Sequence, residues 1–258
     1  MRYVRYHHSG EDRWGVLVGE DVIQPLDNRP YMGGRPRGTP LPLNAVKLLA
    51  PCEPTKIVAI GKNYQAHINE MEYVGPPKPT LFLMPSTALL HPDSTLVLPP
   101  KSLTKQVDYE GELALVISKK AAHIKPEDIS EYVLGFTCFN DVTARDLQIE
   151  DGQWTRAKGL DGFAPVGPLV TDEVDPNNLR IRTRLNGKIV QDANTRDMIM
   201  PVADLVAFIS EYITLLPGDV VVTGTPSGVG PMKGGDKVEI SIEGIGLLRT
   251  FIEEREEA

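Results

Sequence analysis

The chain has 258 residues, of which 41% are hydrophobic and 24% charged, and this composition is typical of one large globular domain or of a main domain with a small appendage. The net charge of -8 and the scattered basic residues argue against a nucleic-acid surface. No apolar run approaches the ~20 residues of a membrane helix, the first residues lack the apolar core of a signal peptide, and two cysteines make no disulfide framework, so we expect a cytoplasmic protein without nucleic-acid or membrane partners.

The first 50 residues predict a small strand-rich domain. Apolar strands at residues 3–6 and 14–18 flank a turn, and a third strand at residues 22–23 follows a second turn. Residues 29–42 are dense in Pro and Gly and predict a long surface loop, whereas residues 44–49 predict one or two helical turns. Residues 51–54 have the composition of a linker. We therefore predict a domain boundary there, with residues 1–50 as the N-terminal domain and residues 51–258 as the main domain.

A buried strand and a short helix open the main domain. Residues 56–60 predict the strand, and the helix begins near Tyr64 and is stopped by the Gly and Pro residues at 75–79, so it could move as a lid. His67 and Glu70 stand three residues apart and therefore share a helix face. A Glu beside a His can orient the ring and raise its pKa, as a general base requires. The alternative is an exposed ion pair that contributes little.

Three acidic residues follow two apolar runs in the middle of the chain. Residues 107–117 predict a strand, and because side chains alternate along a strand, Glu110 and Glu112 share one face. Asp141 ends a second apolar run, at residues 136–140, and joins them if the two runs pair. Converging carboxylates repel one another, and the usual remedy is a hard divalent cation, Mg²⁺ or Mn²⁺. The alternative is the solvated face of a half-buried sheet.

Polar residues that could face this site lie further along the chain. A helix after Asp141 would carry Arg145 and Gln148 back over the acids. Lys158 lies in a Gly- and Pro-rich connection, where a surface lysine and a lysine that meets a substrate carboxylate both stay open. The Gly-rich loop at residues 224–230 lacks the Lys-Ser/Thr of a P-loop and precedes no predicted helix, which excludes nucleotide binding. Its backbone N–H groups could still hold a carboxylate.

Regular elements are also predicted in the last third of the chain. Asn186-Gly187 predicts a hairpin turn between strands at residues 180–185 and 188–191. Residues 201–213 predict an amphipathic helix with one apolar stripe. A buried strand at residues 220–223 and a final hairpin, residues 237–242 with 247–252, complete the predicted elements.

Several segments occur in an order and spacing that match a known family. They are Gly61-Lys62-Asn63-Tyr64 with His67, Asp108-Tyr109-Glu110-Gly111-Glu112-Leu113, Phe139-Asn140-Asp141-Val142-Thr143-Ala144-Arg145-Asp146, Asn186-Gly187 with Gln191-Asp192, Pro217-Gly218-Asp219, and Gly224-Thr225-Pro226-Ser227-Gly228-Val229-Gly230. From about Lys56 onward the chain resembles the fumarylacetoacetate hydrolase family. It is similar to the smaller members that act as acylpyruvate hydrolases, fumarylpyruvate hydrolases, oxaloacetate decarboxylases or hydroxyheptadienedioate isomerases.

The resemblance implies an α+β, strand-rich, mixed β-roll fold with a small N-terminal β-rich domain, assembled as a homodimer. It implies Mg²⁺ or Mn²⁺ held by the residues that match Glu110, Glu112 and Asp141. The implied catalytic residues are His67, Glu70 and Lys158, and the implied substrate-binding residues are Gln148, Thr225 and Arg145. The chain departs from many relatives at Met84, where they carry Lys, and at Gly162, where they carry Thr, which leaves the contacts to the far end of the substrate open.

The implied activity is metal-dependent cleavage of a C–C bond in a 2-oxo acid, the hydrolysis of an acylpyruvate or fumarylpyruvate through a metal-stabilised enolate. His67 and Glu70 would deprotonate the attacking water. The alternatives on the same site are oxaloacetate decarboxylation and isomerisation of 2-hydroxyhepta-2,4-diene-1,7-dioate. An alternative of another class is a β-rich binding protein whose acids are only solvated.

Overall fold

The protein is described by a computed structural model that covers residues 1–71 and 79–255. Its α-helices are α1 (Gln65–Glu70), α2 (Arg145–Asp151), α3 (Thr155–Lys158) and α4 (Val202–Tyr212). Short 3₁₀ helices lie at Pro30–Met32, Leu43–Ala45, Ser86–Ala88, Pro126–Glu131 and Thr195–Asp197. The strands are β1 (Arg2–His8), β2 (Glu11–Val18), β3 (Val22–Pro25), β4 (Leu41–Pro42), β5 (Lys47–Leu49), β6 (Ile57–Gly61), β7 (Thr80–Met84), β8 (Leu89–Leu90), β9 (Ser94–Val97), β10 (Val107–Tyr109), β11 (Gly111–Ile117), β12 (Val133–Asn140), β13 (Thr143–Ala144), β14 (Ala164–Thr171), β15 (Arg180–Leu185), β16 (Lys188–Asn194), β17 (Val220–Val222), β18 (Gly230–Pro231), β19 (Lys237–Ile242) and β20 (Gly246–Glu253).

Three sheets organise these strands within the described residues. The largest has the strand order β4-β3-β2-β1-β14-β12-β11-β17-β6-β7, with β5 beside β1 and β8 beside β14. A second sheet has the order β16-β15-β19-β20-β9, and a small third sheet has the order β13-β10-β18. Parallel and antiparallel pairs occur together, since β17 runs parallel to β6 and antiparallel to β11. The predicted strand-rich α+β fold with mixed sheets is confirmed.

Strand β11 lies between two hydrophobic cores. Every residue of β11 is buried. Because its side chains alternate, Leu113 and Leu115 join one core, which includes Ile181 and Ile240 of the second sheet. Ala114 joins the other core. A strand covered on both faces reads as a continuous apolar run, and this explains the sequence Leu-Ala-Leu-Val-Ile after the acids.

The predicted continuous strand at residues 107–117 is wrong at Glu110. The chain leaves the small sheet after β10 and enters the large sheet at β11, so that Glu110 lies at the junction. Gly111 permits this crossing, because a Cβ there would lie 2.1 Å from Thr183 Oγ1. Glu110 and Glu112 still bring their carboxylates together across this crossing, as their spacing predicted.

The N-terminal strands β1, β2 and β3 confirm the predicted meander. The predicted helical turns at residues 44–49 are wrong beyond Ala45, because Lys47–Leu49 form strand β5 and pair with Arg5 to His7 of β1. Pairing with an existing strand outweighs the weak local preference for helix. Strand β1 also pairs with β14, so the large sheet runs through both predicted domains. The domain boundary at residues 50 and 51 stays a prediction.

Most elements predicted in the main domain are confirmed with shifts of a few residues at their ends. Helix α1 ends at Glu70, and the predicted stop at residues 75–79 lies outside the described residues except for Pro79. Helix α4, the hairpin of β15 and β16, and the hairpin of β19 and β20 lie where the patterns placed them. Among the described residues, no helix is long and apolar enough to span a membrane.

Candidate functional site

Glu110, Glu112 and Asp141 converge because of the register between β11 and β12. These strands are antiparallel, with Gly111 opposite Asn140, so the end of β12 lies beside the start of β11. The backbone confirms the contact, because the amide of Asp141 donates to the carbonyl of Glu110 at 2.9 Å. One carboxylate oxygen from each acid lies within 4.8 Å of those of the other two. All three side chains are buried, which rules out a solvated sheet face.

Two buried basic side chains contact these acids. The Lys158 ammonium donates to Glu110 Oε2 at 2.7 Å and to Asp141 Oδ2 at 2.6 Å. The Arg145 guanidinium donates to Glu110 Oε1 at 2.6 Å and to Asp108 Oδ2 at 2.8 Å. Lys158 lies at the end of α3 and is only 2% exposed, so the alternative of a surface lysine is wrong.

The residues present fit a divalent cation. In the described part of the chain, these contacts set four carboxyl groups against two basic side chains, a net charge of −2 when all of them are ionised: Asp108, Glu110, Glu112 and Asp141 against Arg145 and Lys158. Asp141 Oδ1 is buried and has no hydrogen-bond partner within the described residues. Mg²⁺ and Mn²⁺ prefer carboxylate oxygens as ligands, and either ion would compensate the net charge of −2.

The pKa values of the acids respond to burial and to the two cations. Burial alone would raise the pKa of Glu110, but the charges of Lys158 and Arg145 outweigh it and lower that pKa to about 2. Burial, and then repulsion from Asp141, raises the pKa of Glu112. Burial also raises the pKa of Asp141, to about 6, although Lys158 opposes this rise. The site without a cation therefore resists full ionisation.

The acids open into a cavity of about 450 Å³. All of the predicted site residues except Glu70 line it. The walls are formed by Gly61, Lys62, His67, Ile68, Met71, Thr80, Glu110, Glu112, Asp141, Arg145, Gln148, Ile149, Gly152, Trp154, Lys158 and Thr225. Helices α1, α2 and α3 therefore meet the ends of β11 and β12 around one space.

The His67–Glu70 pair forms one wall of this cavity. His67 Nδ1 lies 3.0 Å from Glu70 Oε2, and His67 is only 8% exposed, so the alternative of a solvent-exposed pair is wrong for the imidazole. The second carboxylate oxygen of Glu70 accepts a hydrogen bond from the amide of Gly228 at 2.8 Å. Glu70 thus holds the ring from behind, which leaves Nε2 as the nitrogen that can serve the cavity.

The Gly-rich loop at residues 224–230 lies against the acids. The amide of Gly224 donates to Glu112 Oε2 at 2.5 Å, which fulfils the expectation that this loop holds a carboxylate, although the carboxylate belongs to the protein itself. Thr225 Oγ1 donates to the carbonyl of Gly111 at 3.0 Å. Gln148, which also lines the cavity, accepts a hydrogen bond at Oε1 from Arg145. The loop therefore places Thr225 beside the two acids of β11 and its junction.

Sequence reasoning missed Trp154 and Lys62, which also line the cavity. The Lys158 Nζ lies 5.9 Å from the centre of the Trp154 ring, and the Lys62 Nζ lies 5.8 Å from it. No spacing pattern marks a single tryptophan in a connection. Lys62 has a φ of 65°, which is uncommon outside glycine and marks a constrained position, but a sequence does not display it.

The two departures from the family pattern lie outside this cavity. Met84 is 1% exposed and packs in the core that contains Ala114. Gly162 has a φ of +81° and lies beside Leu96 at a separate surface depression. Neither residue contributes to the cavity walls.

Comparisons with known proteins give a family match over most of the chain. Residues 56–253 match the family described as "Fumarylacetoacetate (FAA) hydrolase C-terminal", and residues 1–51 match "Rv2993c-like, N-terminal". Over 220 residues the chain is 43% identical to the oxaloacetate tautomerase Fahd2a, mitochondrial, of Rattus norvegicus, a match that covers 81% of this chain and 70% of the relative.

Solved structures of similar proteins extend over nearly the whole chain. A 2-hydroxyhepta-2,4-diene-1,7-dioate isomerase from Mycobacterium marinum is 39% identical with a TM-score of 0.91, covering 100% of both chains. A maleylpyruvate hydrolase from Sphingobium sp. SYK-6, in complex with manganese(II) ion and pyruvate, is 30% identical with a TM-score of 0.81, covering 99% of this chain and 100% of that one. These similar proteins are therefore enzymes of different reaction types.

Proposed function

The chain belongs to the fumarylacetoacetate hydrolase family, and on that premise we propose that it is a divalent-metal-dependent enzyme that moves a proton at the carbon next to the keto group of a small 2-oxo acid. One observation carries the proposal: the acids Glu110, Glu112 and Asp141 and the His67 imidazole open into the same cavity. A tautomerase and an isomerase among the similar proteins, at 43% and 39% identity, support this reaction type.

We assign the cation to Glu110, Glu112 and Asp141, with Mn²⁺ or Mg²⁺ as the ion. A bound divalent cation would polarise the keto oxygen of the acid and stabilise negative charge there when the neighbouring carbon loses a proton. Lys158 holds two of the three carboxylates and has a third N–H, which we assign to a substrate oxygen. Arg145 holds Glu110 in place from the other side.

His67 is the group that moves the proton in this proposal. Its Nδ1 is held by Glu70, so Nε2 takes the proton from the substrate carbon, and the Glu70 carboxylate stabilises the imidazolium that forms. Ile68, Met71 and Trp154 add apolar surface to the walls of the same cavity. Gln148 and Thr225, which both line the cavity, are assigned to substrate binding.

The second candidate is hydrolysis of an acylpyruvate-type β-diketone, which the sequence analysis favoured. The maleylpyruvate hydrolase at 30% identity supports it, and His67 Nε2 would then take a proton from water rather than from carbon. This water would attack the distal carbonyl, and the C–C bond would break to give pyruvate and a carboxylic acid. Both candidates use the same cavity, so the choice depends on whether a water molecule fits beside the bound substrate.

A substrate panel separates the candidates. Oxaloacetate, acetylpyruvate, fumarylpyruvate and a hydroxydienedioate are incubated in D₂O with Mg²⁺, with and without the protein, and followed by NMR. We expect the protein to accelerate entry of deuterium at the carbon next to the keto group more than it accelerates breakage of any C–C bond, and EDTA to abolish the part of the exchange that depends on the protein. Release of pyruvate without faster exchange would favour hydrolysis, loss of CO₂ from oxaloacetate would favour decarboxylation, and no change in any substrate would contradict the proposal.

Assembly and location are also proposals. We propose a homodimer, as the family resemblance implies, and a location in the cytoplasm, as the composition of the chain indicates. Light scattering on the eluted protein measures the assembly, and a mass of one chain, 28.4 kDa, would contradict the dimer.

A further inference from the structure

Gln191 contacts both Gly111, which lies between two of the acids, and the Gly-rich loop at residues 224–230, although it does not line the cavity. It lies in β16, is 1% exposed, and belongs to the hairpin that turns at Asn186-Gly187. Its Oε1 accepts a hydrogen bond from the amide of Gly111 at 2.9 Å. Its Nε2 donates to Thr225 Oγ1 at 2.8 Å and to the carbonyl of Pro226 at 2.9 Å.

The backbone determines which way this carboxamide faces. An amide N–H can only donate and a carbonyl can only accept, so Oε1 must face Gly111 and Nε2 must face Pro226. The second N–H of Nε2 is then directed to Thr225 Oγ1, which accepts it. The Thr225 hydroxyl in turn donates its proton to the carbonyl of Gly111 at 3.0 Å. Both the position and the polarity of this hydroxyl therefore follow from Gln191.

No other side chain supplies the same set of bonds. Glutamate has the length but no donor, so it would oppose the Pro226 carbonyl and would turn the Thr225 hydroxyl toward itself. Asparagine is one methylene too short, and leucine fills the space without hydrogen bonds. Gly111 lies between the ligand candidates Glu110 and Glu112, and Thr225 lies between the Gly224 amide, which holds Glu112, and Pro226. A change at residue 191 would thus reach both the cation site and the Gly-rich loop.

We propose that Gln191 is a positioning residue that sets the separation between the acids Glu110 and Glu112 and Thr225, and thereby the position of Thr225 beside the 2-oxo acid. The inference rests on the proposed function, because it takes the acids as the cation site and Thr225 as a substrate contact. It deepens that proposal by naming a side chain that acts on binding without touching the substrate.

Gln191→Leu is compared with Ser210→Ala, which is matched to it as a buried side chain that joins two backbone segments far from the cavity. Ser210 Oγ accepts from the amide of Ile124 at 3.0 Å and donates to the carbonyl of Ala207 at 2.8 Å. We expect both variants to lower the melting temperature by about 2–6 °C through lost hydrogen bonds. Only Gln191→Leu should weaken binding of Mn²⁺, measured alone, and of pyruvate to the Mn²⁺-loaded protein, the latter about tenfold.

Gln191→Glu decides the question if Gln191→Leu does not fold. It keeps the bond to the Gly111 amide and adds negative charge near the cation site, so Mn²⁺ should bind at least as tightly as in the wild type. Pyruvate should bind about tenfold more weakly, because the Pro226 carbonyl loses its donor, the loop that carries Thr225 shifts, and the added charge repels the anion. The charge acts alone if Gln191→Glu weakens pyruvate binding as much in the Thr225→Val background as in the wild type, whereas a smaller loss there supports the route through Thr225.

A double-variant cycle tests the route through Thr225. If Gln191 acts on pyruvate through Thr225, the variant Gln191→Leu with Thr225→Val should bind pyruvate no more weakly than Thr225→Val alone. Two results would overturn the inference. One is that the losses of pyruvate affinity in the double variant add up. The other is that Gln191→Leu and Gln191→Glu both bind pyruvate and Mn²⁺ within twofold of the wild type. Failure of the proposed function is distinguishable, because the wild type itself would then bind neither Mn²⁺ nor pyruvate.

Discussion

At the scale of single residues, the acids of this site balance burial against charge. Glu110 stays ionised with a pKa of about 2 because Lys158 and Arg145 overcome its burial, whereas Glu112 and Asp141 have raised pKa values. The amide of Gly224 favours the ionised form of Glu112, but one N–H does not offset burial and the repulsion from Asp141. A bound divalent cation would remove this repulsion. We therefore expect cation binding to depend on Glu112 more than on the total negative charge of the site.

Glu112→Gln tests this dependence. We expect Mn²⁺ at ~100 times its Kd to stabilise the wild type by about 2.7 kcal/mol, and Glu112→Gln to lower the Mn²⁺ affinity by more than about 100-fold. Without metal the variant should melt no lower than the wild type, because a buried carboxyl that repels Asp141 is gone. Thermal melts with and without Mn²⁺ measure both effects. The control is Glu127→Gln, on the exposed 3₁₀ helix, and an Mn²⁺ shift in Glu112→Gln equal to that of the control would exclude this cation site.

The variants His67→Ala and Glu70→Gln test the His67–Glu70 pair. We expect His67→Ala to lower kcat by about 10²–10⁴-fold, since it removes the group that moves the proton, while Mn²⁺ affinity stays within a few-fold of the wild type. Glu70→Gln should also lower kcat strongly, because its single amide oxygen accepts from the amide of Gly228 and its NH₂ group then donates to His67 Nδ1, which leaves Nε2 protonated and unable to take a proton. The control is His8→Ala, at the end of β1 and outside the cavity. Wild-type turnover by His67→Ala would refute the assignment.

At the scale of elements, the Gly-rich loop at residues 224–230 couples the acids to helix α1. The amide of Gly224 holds Glu112, and the amide of Gly228 holds Glu70, the partner of His67. Gly228 has a φ of +99°, and a Cβ there would lie 2.0 Å from the Val190 carbonyl oxygen. The loop can therefore reach Glu70 only if residue 228 has no side chain.

Gly228→Ala and Gly235→Ala separate backbone strain from displacement of the loop. Both glycines have a positive φ, but a Cβ at Gly235 meets open space. Each alanine should destabilise the protein by about 1 kcal/mol through the left-handed conformation. Gly228→Ala should additionally shift the loop and lower kcat/KM at least about tenfold, because it loses the hydrogen bond to Glu70. Equal kcat/KM in the two variants would contradict the role of the loop.

At the scale of the whole molecule, buried Asp219 connects distant parts of the chain ahead of β6 and β17. Its Oδ1 accepts from the amide of Thr55 at 3.0 Å and from the Thr55 hydroxyl at 2.7 Å, and its Oδ2 accepts from the amide of Leu216 at 2.8 Å. Lys56 donates to the same carboxylate. The parallel pair of β6 and β17, which supports α1 and the Gly-rich loop, thus begins at this carboxylate.

Asp219→Ala should be strongly destabilising. It removes the ionised acceptor of several part-buried hydrogen bonds, including those from Thr55, Lys56 and Leu216, and at about 1 kcal/mol or more for each bond the loss costs about 3–5 kcal/mol. At roughly 2–4 °C per kcal/mol for a chain of this size, the melting temperature should fall by about 6–20 °C. Asp204→Ala, at an exposed position of α4, is the control and should melt as the wild type does. A decrease in the melting temperature of less than about 2 °C for Asp219→Ala would show that other contacts hold the starts of β6 and β17 together.

Patterns along the chain predicted the elements that depend on hydrophobic periodicity or on turn residues among sequence neighbours. The stripe of α4, the Asn186-Gly187 turn and the apolar run of β11 each depend on neighbours in sequence, and each lies where it was predicted. The helical prediction for residues 47–49 was wrong because the conformation of strand β5 is set by pairing with β1, some forty residues earlier. The strand at residues 107–117 failed at Glu110 because the crossing between sheets is decided by the partners β18 and β12 on either side.

The residue types of the candidate site can be recognised without coordinates, because the carboxylates, His and Lys occur in the family's order. Their contacts could not be predicted from the chain: Lys158 donates to Glu110 and Asp141, Glu70 lies behind His67, and Met84 and Gly162 lie away from the cavity. The physical reason is distance along the chain: Gly111 and Gln191 are 80 residues apart, and such contacts depend on sheet register, which no local pattern contains.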